Sequence, residues 1–84
     1  MRLDVYVETG CRFCERAVEI AQEIDEAYPR MSVRILDVAE APGGDDVFAV
    51  PTFVLNGEVI SLGNPKRTEL RRAIESLLSP EPLS

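Results

Sequence analysis

The sequence predicts one α/β domain of order β-α-β-(loop)-β-β-α, a four-stranded mixed sheet flanked by helices. Three observations predict it. A period-two apolar run opens the chain, two stretches place apolar residues every three or four positions, and an Asn-Gly pair separates two short apolar runs. At 84 residues, 45% of them apolar, the chain can build one core without a metal or structural disulfides. The domain is expected to span residues 1–84, with 79–84 as a short tail.

From Arg2 to Val7 the residues alternate, Leu3, Val5 and Val7 on one side and Arg2, Asp4 and Tyr6 on the other, which fits a first strand. From about Arg12, Phe13, Ala17, Ile20, Ala21, Ile24 and Ala27 make an apolar stripe opposite Glu15, Arg16, Glu19, Glu23 and Glu26. This amphipathic helix ends near Pro29. Met31 to Val38, rich in β-branched and aliphatic residues, is a second strand, and the intervening helix makes its pairing with the first parallel. Residues 39–46, with Pro42, Gly43 and Gly44, have the composition of a loop or at most one helical turn. Thr52–Leu55 and Glu58–Leu62 flank Asn56-Gly57, the pair suited to a two-residue hairpin turn. Asn64 as cap and Pro65 in the first turn start a second helix, whose stripe is Leu70, Ala73, Ile74, Leu77 and Leu78. Short connections then leave few arrangements: a sheet with the first and third strands central and the helices packed on its faces.

Fifteen acidic against nine basic side chains give a formal charge of -6, which disfavours nucleic acid and anionic membrane surfaces as partners. No apolar run approaches the ~20 residues of a membrane span, and the N-terminus lacks a signal-type apolar core. A monomeric cytoplasmic protein is expected. In a reducing compartment two close cysteines point to redox or metal chemistry rather than to a structural staple.

Those cysteines, Cys11 and Cys14, lie in ETGCRFCE, between the first strand and the first helix. Unpaired amide N–H groups at a helix start stabilise a thiolate relative to a thiol, so Cys11 is the candidate nucleophile. Cys14, one helical turn along on the same side, can reach its sulfur and resolve a mixed disulfide. The third strand runs antiparallel to the first, so Val50-Pro51-Thr52 should lie beside Cys11. A proline entering a strand removes a ladder donor. A cis Val50–Pro51 bond would account for it, turning the Val50 backbone outward to pair with an extended substrate.

With a Cys-x-x-Cys pair after the first strand, VPTF opening the third, NG in the hairpin and a final amphipathic helix, nearly the whole chain resembles the small thioredoxin-like and glutaredoxin-like proteins. The resemblance implies a minimal thioredoxin fold and thiol–disulfide oxidoreductase activity on protein or small-molecule disulfides. It also implies Cys11 as nucleophile, Cys14 as resolving thiol, a cis Pro51, and a reductase or glutathione as electron donor. No further cofactor is implied. Substrate contacts are expected from Arg12, Phe13, Val50 and Pro51, although Phe13 is equally suited to stapling helix to sheet. The chain departs from thioredoxins in having Gly10 before the first cysteine, Arg12-Phe13 between the two, and Val5 where they place a buried Asp. It departs from glutaredoxins in Ala49-Val50-Pro51 and in Gly63-Asn64-Pro65-Lys66-Arg67, which lacks the acidic pair that holds the amino end of glutathione. Arg12, Lys66 and Arg67 are the cations available to a substrate carboxylate.

The alternative is a soft-metal or iron–sulfur cluster carrier using Cys11 and Cys14. Against a zinc site in one chain, the sequence has no histidine and no third cysteine. Against a ferredoxin-like metal carrier, the predicted order closes on a helix rather than a strand. The Glu-rich helix face is expected to be solvated surface, and Arg67, Arg71 and Arg72 to balance the last helix.

Overall fold

A computed structural model describes residues 1–40 and 49–78. The expected loop from residue 41 onward and the expected tail at 79–84 lie outside the described residues. Six elements follow in the predicted order: β1 (Arg2–Val7), α1 (Arg12–Ala27), β2 (Ser32–Asp37), β3 (Thr52–Leu55), β4 (Glu58–Leu62) and α2 (Arg67–Leu78). The sheet order is β2-β1-β3-β4, with β1 parallel to β2 and antiparallel to β3, and β3 antiparallel to β4.

The alternation in β1 decides which face is buried. Leu3 and Val5 stand opposite Leu55 and Phe53 of β3, so these four side chains share one face. They form a single apolar cluster with Ala17, Ile20, Ala21 and Ile24 of α1 and Leu70 and Ile74 of α2. Both described helices therefore cover the same side of the sheet rather than its two faces, because both apolar stripes are buried on the one face that carries Leu3, Val5, Phe53 and Leu55. Two exposed polar contacts also join them: Arg67 forks onto Glu23, with Nη2 donating to Oε2 at 2.7 Å, and the Tyr28 hydroxyl donates to Glu75 at 3.0 Å. Exposed pairs of this kind add little to stability.

On the other face Asp4 is buried, with 3% exposure. Its partner in β2 is Arg34, whose Nε and Nη2 donate to the two carboxylate oxygens at 2.8 and 3.2 Å, while Arg2 Nε donates at 3.1 Å. A buried carboxylate is tolerated when forked donors replace its water. The Asn-Gly hairpin forms as expected, with φ of 51° at Asn56 and 86° at Gly57, the positive angles that a tight turn of this hand requires. Asn56 also extends the ladder of β1, its Oδ1 accepting from Arg2 N and its N–H donating to Arg2 O, both at 2.8 Å.

The helix ends have separate causes. α1 stops where Tyr28 N–H donates to Ile24 O at 2.9 Å and Pro29 follows, which cannot supply the next donor. α2 begins at Arg67, later than Asn64 as cap and Pro65 in the first turn would put it; the Lys66 carbonyl takes the first helical bond, from Leu70 N at 2.9 Å. Asn64 does not cap this helix; its side-chain Nδ2 donates instead to Phe13 O at 3.1 Å.

Phe53 is the largest fully buried side chain and packs in the cluster shared by both helices. Phe53→Ala should cost about 3–5 kcal/mol, read as a lowered urea midpoint with the far-ultraviolet dichroism of the folded state retained in buffer.

Candidate active site

β1 delivers the chain to the site. At its carboxyl end Glu8, Thr9, Gly10 and Cys11 form a turn closed by Cys11 N–H donating to Glu8 O at 3.2 Å. Gly10 takes a φ of 83°, which side-chain-bearing residues rarely adopt, and this sets the direction in which α1 leaves the sheet.

Cys11 is the N-cap of α1, with extended backbone angles. In that position a Ser, Thr or Asp would use its oxygen to accept from an unpaired amide of the first turn. Here the acceptor is sulfur: Cys14 N–H donates to Cys11 Sγ at 3.1 Å and also to Cys11 O at 3.2 Å. Such a donor favours a negative sulfur over a neutral one.

The same turn places the thiols in different surroundings. Both are free, Cys11 partly exposed and Cys14 only 4% exposed. Burial pushes the Cys14 thiol up to about 11, helped by a hydrogen bond to Cys11 and opposed by a backbone hydrogen bond from Glu8. The pair thus combines an accessible sulfur with an amide donor and a shielded sulfur that keeps its proton at neutral pH.

A cavity of about 220 Å³ opens beside both sulfurs and carries three carboxylates, Glu8, Glu15 and Asp37, on its walls. Asp37 arrives through the parallel register, opposite Val7, and accepts from Thr9 Oγ1 at 3.3 Å and Ala39 N at 2.8 Å. The strand register places the start of β3 at the same end of the sheet, although neither Val50 nor Pro51 lines the cavity beside the sulfurs. Tyr6 pairs with Thr52, so the preceding Val50–Pro51 peptide, which is cis, enters the sheet at the carboxyl end of β1. Pro51 is buried and Val50 partly so.

Arg12 is exposed and Phe13 is 68% exposed, so Phe13 does not staple α1 to the sheet. Lys66 and Arg67 border a separate cleft of about 480 Å³ with Arg16, Asn64 and Thr68, away from the cavity beside the sulfurs. Among the described residues no three His, Cys, Asp or Glu side chains converge as a ligand set, and no helix is long and apolar enough to cross a membrane. Sequence reasoning missed Asp37 and Asn64 as neighbours of the dithiol. The end of a strand parallel to β1 was a usable signal for Asp37; nothing local marked Asn64, which also suits a helix cap.

The chain is similar to known proteins in sequence and in fold. The thioredoxin domain family matches residues 1–75. The chain is 28% identical to a thioredoxin of Methanocaldococcus jannaschii over 82 residues, covering 93% of this chain and 96% of the relative. It is also 28% identical to a probable thioredoxin of Methanothermobacter marburgensis over 78 residues, covering 88% and 92%. Among solved structures, oxidised mitochondrial thioredoxin 3 of Saccharomyces cerevisiae superposes with a TM-score of 0.68 at 27% identity, over 89% of this chain and 76% of the other. A chain from a study of thiol resolution in the yeast mitochondrial 1-Cys peroxiredoxin by the glutathione and thioredoxin systems superposes with a TM-score of 0.71 at the same identity and coverage. With its minimal thioredoxin fold and its Cys-x-x-Cys pair at the start of α1, the chain belongs to the thioredoxin domain family and is a thiol oxidoreductase.

Proposed function

We propose that the protein is a dithiol–disulfide oxidoreductase that reduces disulfides of proteins or small molecules through Cys11 and Cys14. The observation that carries this reading is the N-cap bond, in which the accessible Cys11 sulfur accepts the Cys14 amide at 3.1 Å. The Cys11 thiolate attacks one sulfur of a target disulfide, forming a mixed disulfide and releasing the other target sulfur, which takes up a proton. Cys14 then loses its proton and attacks Cys11 Sγ. This breaks the mixed disulfide, releases the second target thiol and leaves a Cys11–Cys14 bond. The target gains two electrons, and a reductase or glutathione returns them to the dithiol.

The exposure contrast supports this division of roles: a substrate meets Cys11 first, and Cys14 is kept as a thiol until the mixed disulfide forms. Arg12 and Phe13, both exposed in the first turn, are proposed to contact the substrate. The Val50 backbone, at the cis peptide beside the end of β1, is proposed to pair with it in extended form. The reading includes a monomer acting in the cytoplasm.

Cys11→Ser should abolish reduction of insulin disulfides, whereas Cys14→Ser should accumulate a covalent adduct with the substrate, visible by non-reducing electrophoresis and mass. Full insulin reduction by both variants would refute the mechanism; stoichiometric metal after anaerobic purification, lost in both variants, would replace it with the metal-carrier reading. A second prediction follows from the Cys14 thiol at about 11. Because the thiolate is the reactive form, alkylation of Cys14 in the reduced protein should be slow at neutral pH. It should keep rising well past pH 9, as peptide mapping after timed iodoacetamide pulses would show. Since the folded state holds this proton more tightly than the unfolded chain, folding stability should fall as pH rises from about 9 towards 11.

A further inference from the structure

Asn64 has the residue type of a helix cap but does not cap. The carbonyl that takes the first bond of α2 belongs to Lys66, and the Asn64 side chain reaches instead to the first turn of α1, where Nδ2 donates to Phe13 O at 3.1 Å. A carbonyl only accepts, so the amide must face it through its NH₂ end. Phe13 lies between the two cysteines, on the turn that gives Cys11 its amide donor.

The residue before Asn64 is bonded to the other half of the site. Gly63 N–H donates to Pro51 O at 2.7 Å, and Gly63 O accepts from Ser61 Oγ at 2.8 Å. Two consecutive residues, joined by one planar peptide, thus hold the Phe13 carbonyl on one side and the Pro51 carbonyl on the other. No described strand joins α1 directly to the start of β3, so this short strut links the dithiol turn to the cis-proline segment.

We propose that Asn64 is a positioning residue, holding the turn that carries Cys11 and Cys14 at a set place relative to the Val50–Pro51 backbone on which an extended substrate pairs. The inference rests on the oxidoreductase reading above and adds a specificity consequence. A protein disulfide is gripped through its backbone and attacked at its sulfur, so its rate depends on the relative position of the two halves. A small disulfide that does not pair with the backbone needs only the Cys11 thiolate.

The test compares kcat/KM for insulin and for bis(2-hydroxyethyl) disulfide in the wild type, Asn64→Ala and Asn64→Asp, the last retaining the shape while removing the N–H donor. In both variants the insulin-to-small-disulfide ratio should fall about five- to tenfold, the scale of one ordinary hydrogen bond. In Asn64→Ala, which adds no charge, the pH profile of Cys11 alkylation should stay in place, and in both variants amide exchange at Gly63 and Cys14 should accelerate relative to core amides such as Val5. A ratio within about twofold of wild type, or equal losses on both substrates with a displaced alkylation profile, would overturn the proposal. Should the wild type reduce neither disulfide, the oxidoreductase reading fails. Amide exchange then decides whether the strut exists, and unchanged exchange at Gly63 and Cys14 in the variants overturns it.

Discussion

Much of the site depends on where one backbone amide points. Cys14 N–H belongs to the first turn, where donors lack the usual i−4 carbonyl, and it is shared between Cys11 O and Cys11 Sγ because Cys11 is the cap. That placement depends in turn on the bend from β1 into α1. At Gly10 no atom stands within 4 Å of where a Cβ would be, so space is not what favours glycine there. The constraint is the φ of 83°, which lets the chain leave the central strand and begin a helix within four residues.

The two cysteines share a covalent chemistry and differ only in surroundings. One helical turn carries the chain from the edge of the site towards its interior, so Cys11 meets solvent and one amide donor while Cys14 is buried. Burial disfavours charge on Cys14, while Cys11 keeps a partly exposed sulfur that accepts one backbone amide. The Glu8 carboxylate adds to the effect of burial on Cys14, raising its thiol further.

The sheet holds this arrangement by burying each face differently. Leu3, Val5, Phe53 and Leu55 face both helices, and the first turn of α1 is anchored by the apolar stripe behind it. On the reverse face a hydrophobic residue would serve at position 4, yet Asp4 is present and is matched by Arg34 and Arg2. The carboxylate ties β2 to β1 in their parallel register, which also brings Asp37 to the dithiol. Antiparallel pairing of β3 brings Pro51 to the same end of β1, so both neighbouring strands reach the end of the sheet where α1 begins through register alone.

What the sequence determined by itself was local and periodic. The alternation of Leu3, Val5 and Val7, the helical spacing from Phe13 to Ala27 and the Asn56-Gly57 turn each express a backbone preference readable within a few residues. Element order and strand order followed from them with short connections. Cys-x-x-Cys after a strand and before a helix was legible as chemistry for the same reason: the spacing is one helical turn. The fold alone decided what depends on distant residues meeting. Asn64 has the same local signature as a cap and as a strut, and only the approach of Phe13 O separates the two. Phe13 fits an apolar stripe, yet it projects at the exposed end of α1, beyond the cover of the sheet. The burial of Cys14, which sets it apart from Cys11, depends on packing between α1 and the sheet, and no spacing along the chain encodes that depth.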